Sequence, residues 1–349
     1  MVTVKAGIKG AKNRSRHKVL IQKGTNMNKS SSQAATIIKS SLIFCFMILP
    51  FLLAAQSFGQ GHPGKKGPQA KPDTKWSTFI RGGYVYQFDT DLDNSNGSFT
   101  ADRFFVQPGI RYAPDHTRSF SLAFGYGYDG YDFTGENSFG ALQPWDDIHT
   151  FRLSTPIRFT KGQNWSFFIV PTFRVTGESG ADLNDSLTGG GFAGFAYRLS
   201  ERLTIGPGIG IISQIEDDAS IFPVLIINWK ITEALSLETG RGLGATLGPG
   251  ISLNWRMTEQ WHFSLGGRYE KLRFRLDDKA ETPNGIGQDT SIPVFGGVTY
   301  NLNSSTRISL IGGFEMAGEL QLEDHEGNVL EQQDYENAPF LGFSFYWSF

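Results

Sequence analysis

Between residues 110 and 314 one short pattern recurs six times. "IRYAPDHTRSFSLAFGYGY" begins at Ile110, "IRFTKGQNWSFFIVPTF" at Ile157 and "FAYRLSERLTIGPGIGI" at Phe195. "IINWKITEALSLETG" begins at Ile226, "SLNWRMTEQWHFSLGGRY" at Ser252 and "VTYNLNSSTRISLIGGF" at Val298. Each runs from an aromatic through a tight polar turn into a new alternating segment, which is the pattern of a β-hairpin with a short connection. The alternation has period two, so each segment carries two different rows of side chains on opposite faces. In "FSLAFGYGYDGY", Phe120, Leu122, Phe124, Tyr126 and Tyr128 oppose Ser121, Ala123, Gly125, Gly127 and Asp129. In "FRLSTPIRF", Phe151, Leu153, Ile157 and Phe159 share one face with Thr155, and Arg152, Ser154, Pro156 and Arg158 share the other. The 42 Gly and 29 Phe, against only 19% charged residues, favour pleated surfaces with close backbones over helices.

A second set of connections is long and polar: Asp89–Thr100, Asp132–Asp147, Gly177–Ser186, Gln214–Ser220, Asp277–Asp289 and Glu319–Asn337. Long and short connections alternate along the chain, apart from a brief Gly-rich one near Gly240–Ala245. Counting strands between them gives about fourteen, and the length allows roughly 21 residues per strand plus connection, which suits spans of about 9–11 residues. The apolar row needs an apolar solvent. A soluble sandwich or lipocalin-like barrel would turn it inward and charge the other row. Here the other row is Gly, Ser, Thr, Asn and scattered Arg, and aromatics collect at one end of the strands. Tyr112, Phe159, Tyr197, Trp229, Trp255 and Tyr300 stand just before the short turns, and Trp165 and Trp261 just after. A ring of aromatics at one height fits a membrane interface, where amphipathic rings settle at the headgroup level. Only helices and closed barrels satisfy every backbone group in lipid. The expected fold is therefore all-β: a single antiparallel transmembrane β-barrel of about 14 strands with short periplasmic turns and long extracellular loops, spanning 76–349.

The N-terminal region carries an address. Ser41–Ala55 reads "SLIFCFMILPFLLAA", with Lys29 and Lys39 before it and small residues after it. That is the n-, h- and c-region order of a secretory signal peptide, assigned to residues 1–60 with Met27 as the more natural start. A transmembrane anchor is the alternative, but the run is short and contains Pro50. Residues 61–75, rich in Pro, Gly and Lys, read as a flexible leader. Cys45, the single cysteine, lies in the apolar run; no intrachain disulfide is possible, and no small residue precedes it as a lipoprotein signal requires. A formal net charge of -2 argues against a nucleic-acid partner. The mean hydropathy of -0.24 excludes a polytopic helical membrane protein but not a barrel with a polar interior.

The last ten residues read "FLGFSFYWSF", with Leu341, Phe343, Phe345, Trp347 and Phe349 at every second position. This resembles the C-terminal signature of Gram-negative outer-membrane β-barrels. The resemblance implies a bacterial outer-membrane location, a barrel-assembly machinery that reads the terminal strand, and lipid and lipopolysaccharide as surroundings. The rest of the chain resembles uncharacterised outer-membrane barrel domains and, loosely, porins. It departs from TonB-dependent transporters in lacking a plug domain before Trp76, and from long-chain fatty-acid transporters in lacking their hatch.

Candidate chemistry is sparse. His262 and Ser264 in "WHFS" are spaced like the His-x-Ser pair of outer-membrane phospholipases, which the resemblance would place in lipid near the outer leaflet. Trp261, Phe263 and Leu265 form the apolar row here, so His262 and Ser264 point inward beside a short turn, and no enzyme is expected. No phosphate-binding Gly loop, cofactor motif or fixed metal-ligand spacing is present; the acidic stretches Glu216–Ser220 and Glu319–Asn337 read as solvated surface. The inward rows carry Arg81, Arg152, Arg158, Arg174, Arg198 and Arg268, partly balanced by Glu238, Glu270 and Glu315. Three readings stay open, in this order: a passive channel for small solutes with a cationic lumen, a salt-bridged closed barrel whose loops do the work of surface adhesion or anchoring, and an outer-membrane enzyme acting on lipid.

Overall fold

The structure, a computed structural model, describes residues 75–93, 96–240 and 250–349. The expected signal peptide, nearly all of the expected leader, and most of the Gly-rich connection at Gly240–Ala245 lie outside the described residues. The strand segments are β1 (Trp76–Asp91), β2 (Ser98–Tyr112), β3 (Arg118–Thr134), β4 (Asp147–Ser154), β5 (Ile157–Lys161), β6 (Trp165–Glu178), β7 (Leu187–Arg198), β8 (Leu203–Gln214) and β9 (Asp217–Lys230). They continue as β10 (Leu235–Thr239), β11 (Gly250–Arg256), β12 (Trp261–Arg268), β13 (Glu270–Arg275), β14 (Ile286–Asn301), β15 (Thr306–Glu323), β16 (Val329–Tyr335) and β17 (Ala338–Ser348). One short helix, α1 (Ser138–Leu142), lies between β3 and β4. None of the described helical residues is long or apolar enough to cross a membrane.

Three of these segments continue a neighbour. β4 and β5 both pair with β3 and β6 and are broken at Thr155-Pro156. β12 and β13 both pair with β14, and β16 and β17 both pair with β15. The result is a closed antiparallel barrel of fourteen strands. Closure is made by β17 on β1, from Phe79 opposite Ser348 to Gln87 opposite Phe340.

The recurring short turns share one device. Asp115, Ser200, Thr232 and Thr258 each accept the backbone N–H groups two and three residues on, and Asn303 accepts that of Ser305. Short side-chain oxygens favour such turns because they replace a backbone acceptor. An aromatic stands three residues before each cap: Tyr112, Tyr197, Trp229, Trp255 and Tyr300. Asp115 is bonded further by the Thr117 hydroxyl and the Arg118 guanidinium, which hold its carboxyl below the usual carboxylate range. The remaining turn uses Gly162 at φ 64, with open space around it.

The outer face is apolar and uncovered. Phe173 is 58% exposed, Leu265 60% and Leu310 62%, with Leu122, Phe124, Leu153, Ile209, Leu341 and Phe343 beside them on neighbouring strands. In water so continuous a patch would drive aggregation; around a closed barrel it is a lipid-facing belt.

The long connections are shorter than their polar composition suggests. β15 runs to Glu323 and β16 starts at Val329, so Glu319–Asn337 is mostly an extended hairpin; Gln214–Ser220 reduces to a turn at Ile215 and Glu216. The reason is a change of face. Ile311 and Glu315 point inward, Ala317 sits at φ 50, and beyond it Leu320 and Leu322 are the buried residues. A bulge adds one residue and flips the row that follows. Above it the outer row is polar because it meets water, so polarity alone reads as loop.

Candidate functional site: the barrel interior

The extracellular half of the interior is filled. Leu92, Phe99, Tyr131, Phe133, Phe139, Trp145, Ile148, Phe274, Leu320 and Tyr335 form one buried apolar cluster. Trp145 meets Phe133, Phe139 and Phe274 edge-on at 5.6, 5.4 and 5.2 Å, an arrangement that ring quadrupoles favour. The hairpin of β13 and the start of β14 supplies part of this cap. Arg273, Phe274, Arg275, Ile286, Gln288 and Asp289 are all buried, and Arg275 reaches a bridge partner, Gly177, on β6.

Below the cluster lies a buried ion network centred on Arg103. Its guanidinium donates to Glu315 at 3.0 Å and Asp289 at 3.1 Å, and lies 3.8 Å from Asp129. The Tyr131 hydroxyl donates to Asp289 at 2.8 Å, and that of Tyr335 donates to Asp289 at 3.1 Å. Charges this deep persist only when paired and hydrogen-bonded. Two further pairs fasten β13. Arg273 makes a bidentate pair with Glu323 at 2.6 Å and donates to the Ile215 carbonyl, while Arg275 pairs with Glu216 at 2.6 Å.

The residues expected to line the lumen are dispersed over several levels. Arg268 is buried, pairs with Glu270 at 2.6 Å and lies over the Phe295 ring. Glu315 belongs to the Arg103 network, and Glu238 is buried on β10. Arg81 donates from Nε to Gln107 at 2.5 Å, its Nη2 having no acceptor among the described residues. Arg158 donates to Ser166 at 3.5 Å near the periplasmic end, and Arg198 ends β7 there, exposed. Arg152 and Arg174 stand opposite one another on β4 and β6. Pairing has thus consumed Glu315, and the balance expected among the named residues is partly made by Arg103, Asp129, Asp289, Arg273 and Glu323, which sequence reasoning missed. Around Arg103 both rows of "ADRFFVQ" mix polar and apolar residues, so no polarity signal marks the inward one.

The interface aromatics gather at the turn end of the barrel. Trp76 meets Tyr112 at 4.5 Å, Trp165 meets Tyr197 at 4.8 Å and Trp261 meets Tyr300 at 4.7 Å; Phe159 stacks on Phe167, and Trp255 packs on Phe263. Trp229 stands between Leu203 and Leu237. Leu341, Phe343, Trp347 and Phe349 are exposed on the outer face and Phe345 lies half-buried over Gly82. His262 shares a hydrogen bond with Asn301 at 3.0 Å, while Ser264 donates to the Gly297 carbonyl. At the extracellular rim the carboxylates of Asp146, Asp147 and Glu178 lie within 4.8 Å of one another, with Glu178 accepting the backbone N–H groups of Asp146 and Asp277.

A closed fourteen-stranded barrel with a lipid-facing belt, an aromatic rim and a charged interior is a transmembrane β-barrel. No family model matches the chain, and no curated protein does. Among solved structures it is similar to an outer-membrane channel from Pseudomonas putida F1, at 11% identity and TM-score 0.45, covering 82% of this chain and 100% of that one. It is also similar to a FadL homologue from Pseudomonas aeruginosa, at 12% identity and TM-score 0.43, covering 79% of this chain and 90% of that one. The toluene transporter TodX of P. putida is similar at 10% identity and TM-score 0.41, covering 80% and 91%. Likeness at this level concerns barrel architecture alone.

Proposed function

We propose that the chain is an outer-membrane channel for small solutes, delivered across the inner membrane by its signal peptide. Its interior is basic on the periplasmic side and constricted on the extracellular side by the aromatic cluster. The observation that carries this reading is the row of Arg81, Arg152 and Arg174, half-buried charge that a purely structural wall would replace with apolar packing. Guanidinium stays charged at any working pH, and a ring of it raises the local anion concentration over a reach of about 10 Å at 0.1 M salt. Lipid and lipopolysaccharide are the barrel's surroundings and the assembly machinery its partner in folding; no catalytic step and no cofactor belong to the proposal.

The test is planar-bilayer conductance of the purified barrel. The wild type conducts weakly and prefers anions in dilute salt, and Phe139→Ala with Trp145→Ala raises conductance by widening the constriction. Arg152→Glu with Arg158→Glu reduces or reverses the selectivity. A cation-selective wild type defeats the basic lumen. Silence in both the wild type and the widened variant favours the second reading, a closed surface or anchoring barrel, which the buried cluster at the extracellular end also supports.

A further inference from the structure

One patch of the inner wall holds donors that the protein itself leaves unused. Arg152 on β4 stands directly opposite Arg174 on β6. Opposed like charges on adjacent strands destabilise a sheet. One step nearer the extracellular end on the same rows, Thr150 stands opposite Thr176. Thr150 is 8% exposed and Thr176 2%, yet neither hydroxyl has a hydrogen-bond partner among the described residues. An unmet hydroxyl at such depth is costly. Neither guanidinium has a hydrogen-bond or ion-pair partner among the described residues. The acids whose charges act on the pair are engaged elsewhere: Glu270 with Arg268 at 2.6 Å, and Asp129 beside Arg103 at 3.8 Å. On the adjoining strand β3, Gly125 pairs with Arg152 and Gly127 with Thr150, so these two positions put no side chain beside the patch.

We infer that Arg152, Arg174, Thr150 and Thr176 form a binding site for an oxyanion, the carboxylate or phosphate group of a small solute. Two planar forks match such a group bidentately, and the hydroxyls add short donors at its edge. The bound anion would relieve the repulsion between the arginines and satisfy the threonines at once. The inference deepens the channel reading and rests on it, since the ligand needs a path into the interior.

The experiment is calorimetric titration of the purified full-length barrel in detergent with inorganic phosphate, with butyrate, and with neutral butyramide. The wild type binds phosphate or butyrate, the tighter of the two naming the group, and takes butyramide at least tenfold more weakly. Arg152→Gln with Arg174→Gln weakens the anion at least tenfold, and Thr150→Val with Thr176→Val weakens it by a smaller factor. Arg118→Gln, at the exposed start of β3, leaves it unchanged. Should the double arginine variant fail to fold, Arg174→Lys decides: it keeps the charge, loses the fork, and binds more weakly than wild type. The wild-type unfolding midpoint rises with the bound anion, as ligand linkage requires. Failure of both anions to bind, equal binding of butyramide, or wild-type affinity in the arginine variants overturns the site. Binding without conductance keeps the site and removes the channel; conductance without binding does the reverse.

Discussion

Arg103 shows how much of this interior depends on single residues. It is one cation among Asp129, Asp289 and Glu315, and the hydroxyls of Tyr131 and Tyr335 complete the shell. Arg103→Met leaves three carboxylates buried together without their counter-charge. Losing one partner of a buried pair costs about 3–5 kcal/mol, so urea unfolding in detergent should show a loss of that order. Adding Glu315→Gln to Arg103→Met should recover part of it, because one of the stranded charges is then gone. A double variant as unstable as the sum of its singles would mean the two residues do not interact. This network was not legible beforehand. Its three acids lie 26 to 212 positions from Arg103 in the chain, and only the register brings them to one level. Arg152 and Arg174 were expected on the row opposite the apolar one, since clean alternation surrounds each; that they stand opposite one another was not legible, because that depends on how β4 and β6 are paired.

At the scale of elements, the hairpins were the readable part and their outer ends were not. The capped turns announce themselves as an aromatic followed three residues later by Ser, Thr, Asp or Asn, and the strands below the bulges keep one polarity. Above Ala317 the face flips and the solvent changes from lipid to water, so two unsignalled events fall together. The close pairing of β7 with β8 is a firmer matter. A Cβ placed on Gly206 would lie 1.9 Å from the Phe195 carbonyl oxygen and 2.5 Å from the Ala196 Cα, both backbone atoms that cannot swing aside. Gly206→Val must therefore push the two strands apart, a cost of about 1–3 kcal/mol for overpacking. The measurement is the unfolding midpoint together with heat-modifiable gel migration. A variant as stable as wild type would show that the β7–β8 spacing is looser than this contact requires.

For the whole molecule, the decisive contact is the seam. Thr78 and Phe349 exchange backbone hydrogen bonds of 2.9 and 3.0 Å across 271 positions of sequence, and the nine residue pairs from Phe79 and Ser348 onward zip β1 to β17. Loop closure over such a separation comes late, because its entropy is offset only once the intervening hairpins have formed. Removing Phe349, or replacing it with Asp, takes away the first rung of the seam and an apolar side chain of the lipid belt. The expected result is a protease-sensitive chain lacking the heat-modifiable migration of a folded barrel; normal migration would contradict a lipid-facing terminal strand. The barrel class was legible because period, turn chemistry and terminal pattern agree. The filled extracellular end was not, because apolar residues there face inward, and alternation reports period rather than direction.

The same seam has a geometric consequence. Six short turns join neighbouring strands along the periplasmic rim, and the gap between β17 and β1 occupies the seventh position. A few residues bridging Phe349 to Trp76 would fill it with one more turn, leaving a cyclic order of fourteen strands in which no hairpin is intrinsically first. The chain could then be opened at another exposed turn, such as Gly162, while every ladder pairing kept its partner. Where this ring is cut would set the order in which strands reach the membrane without altering the barrel they build.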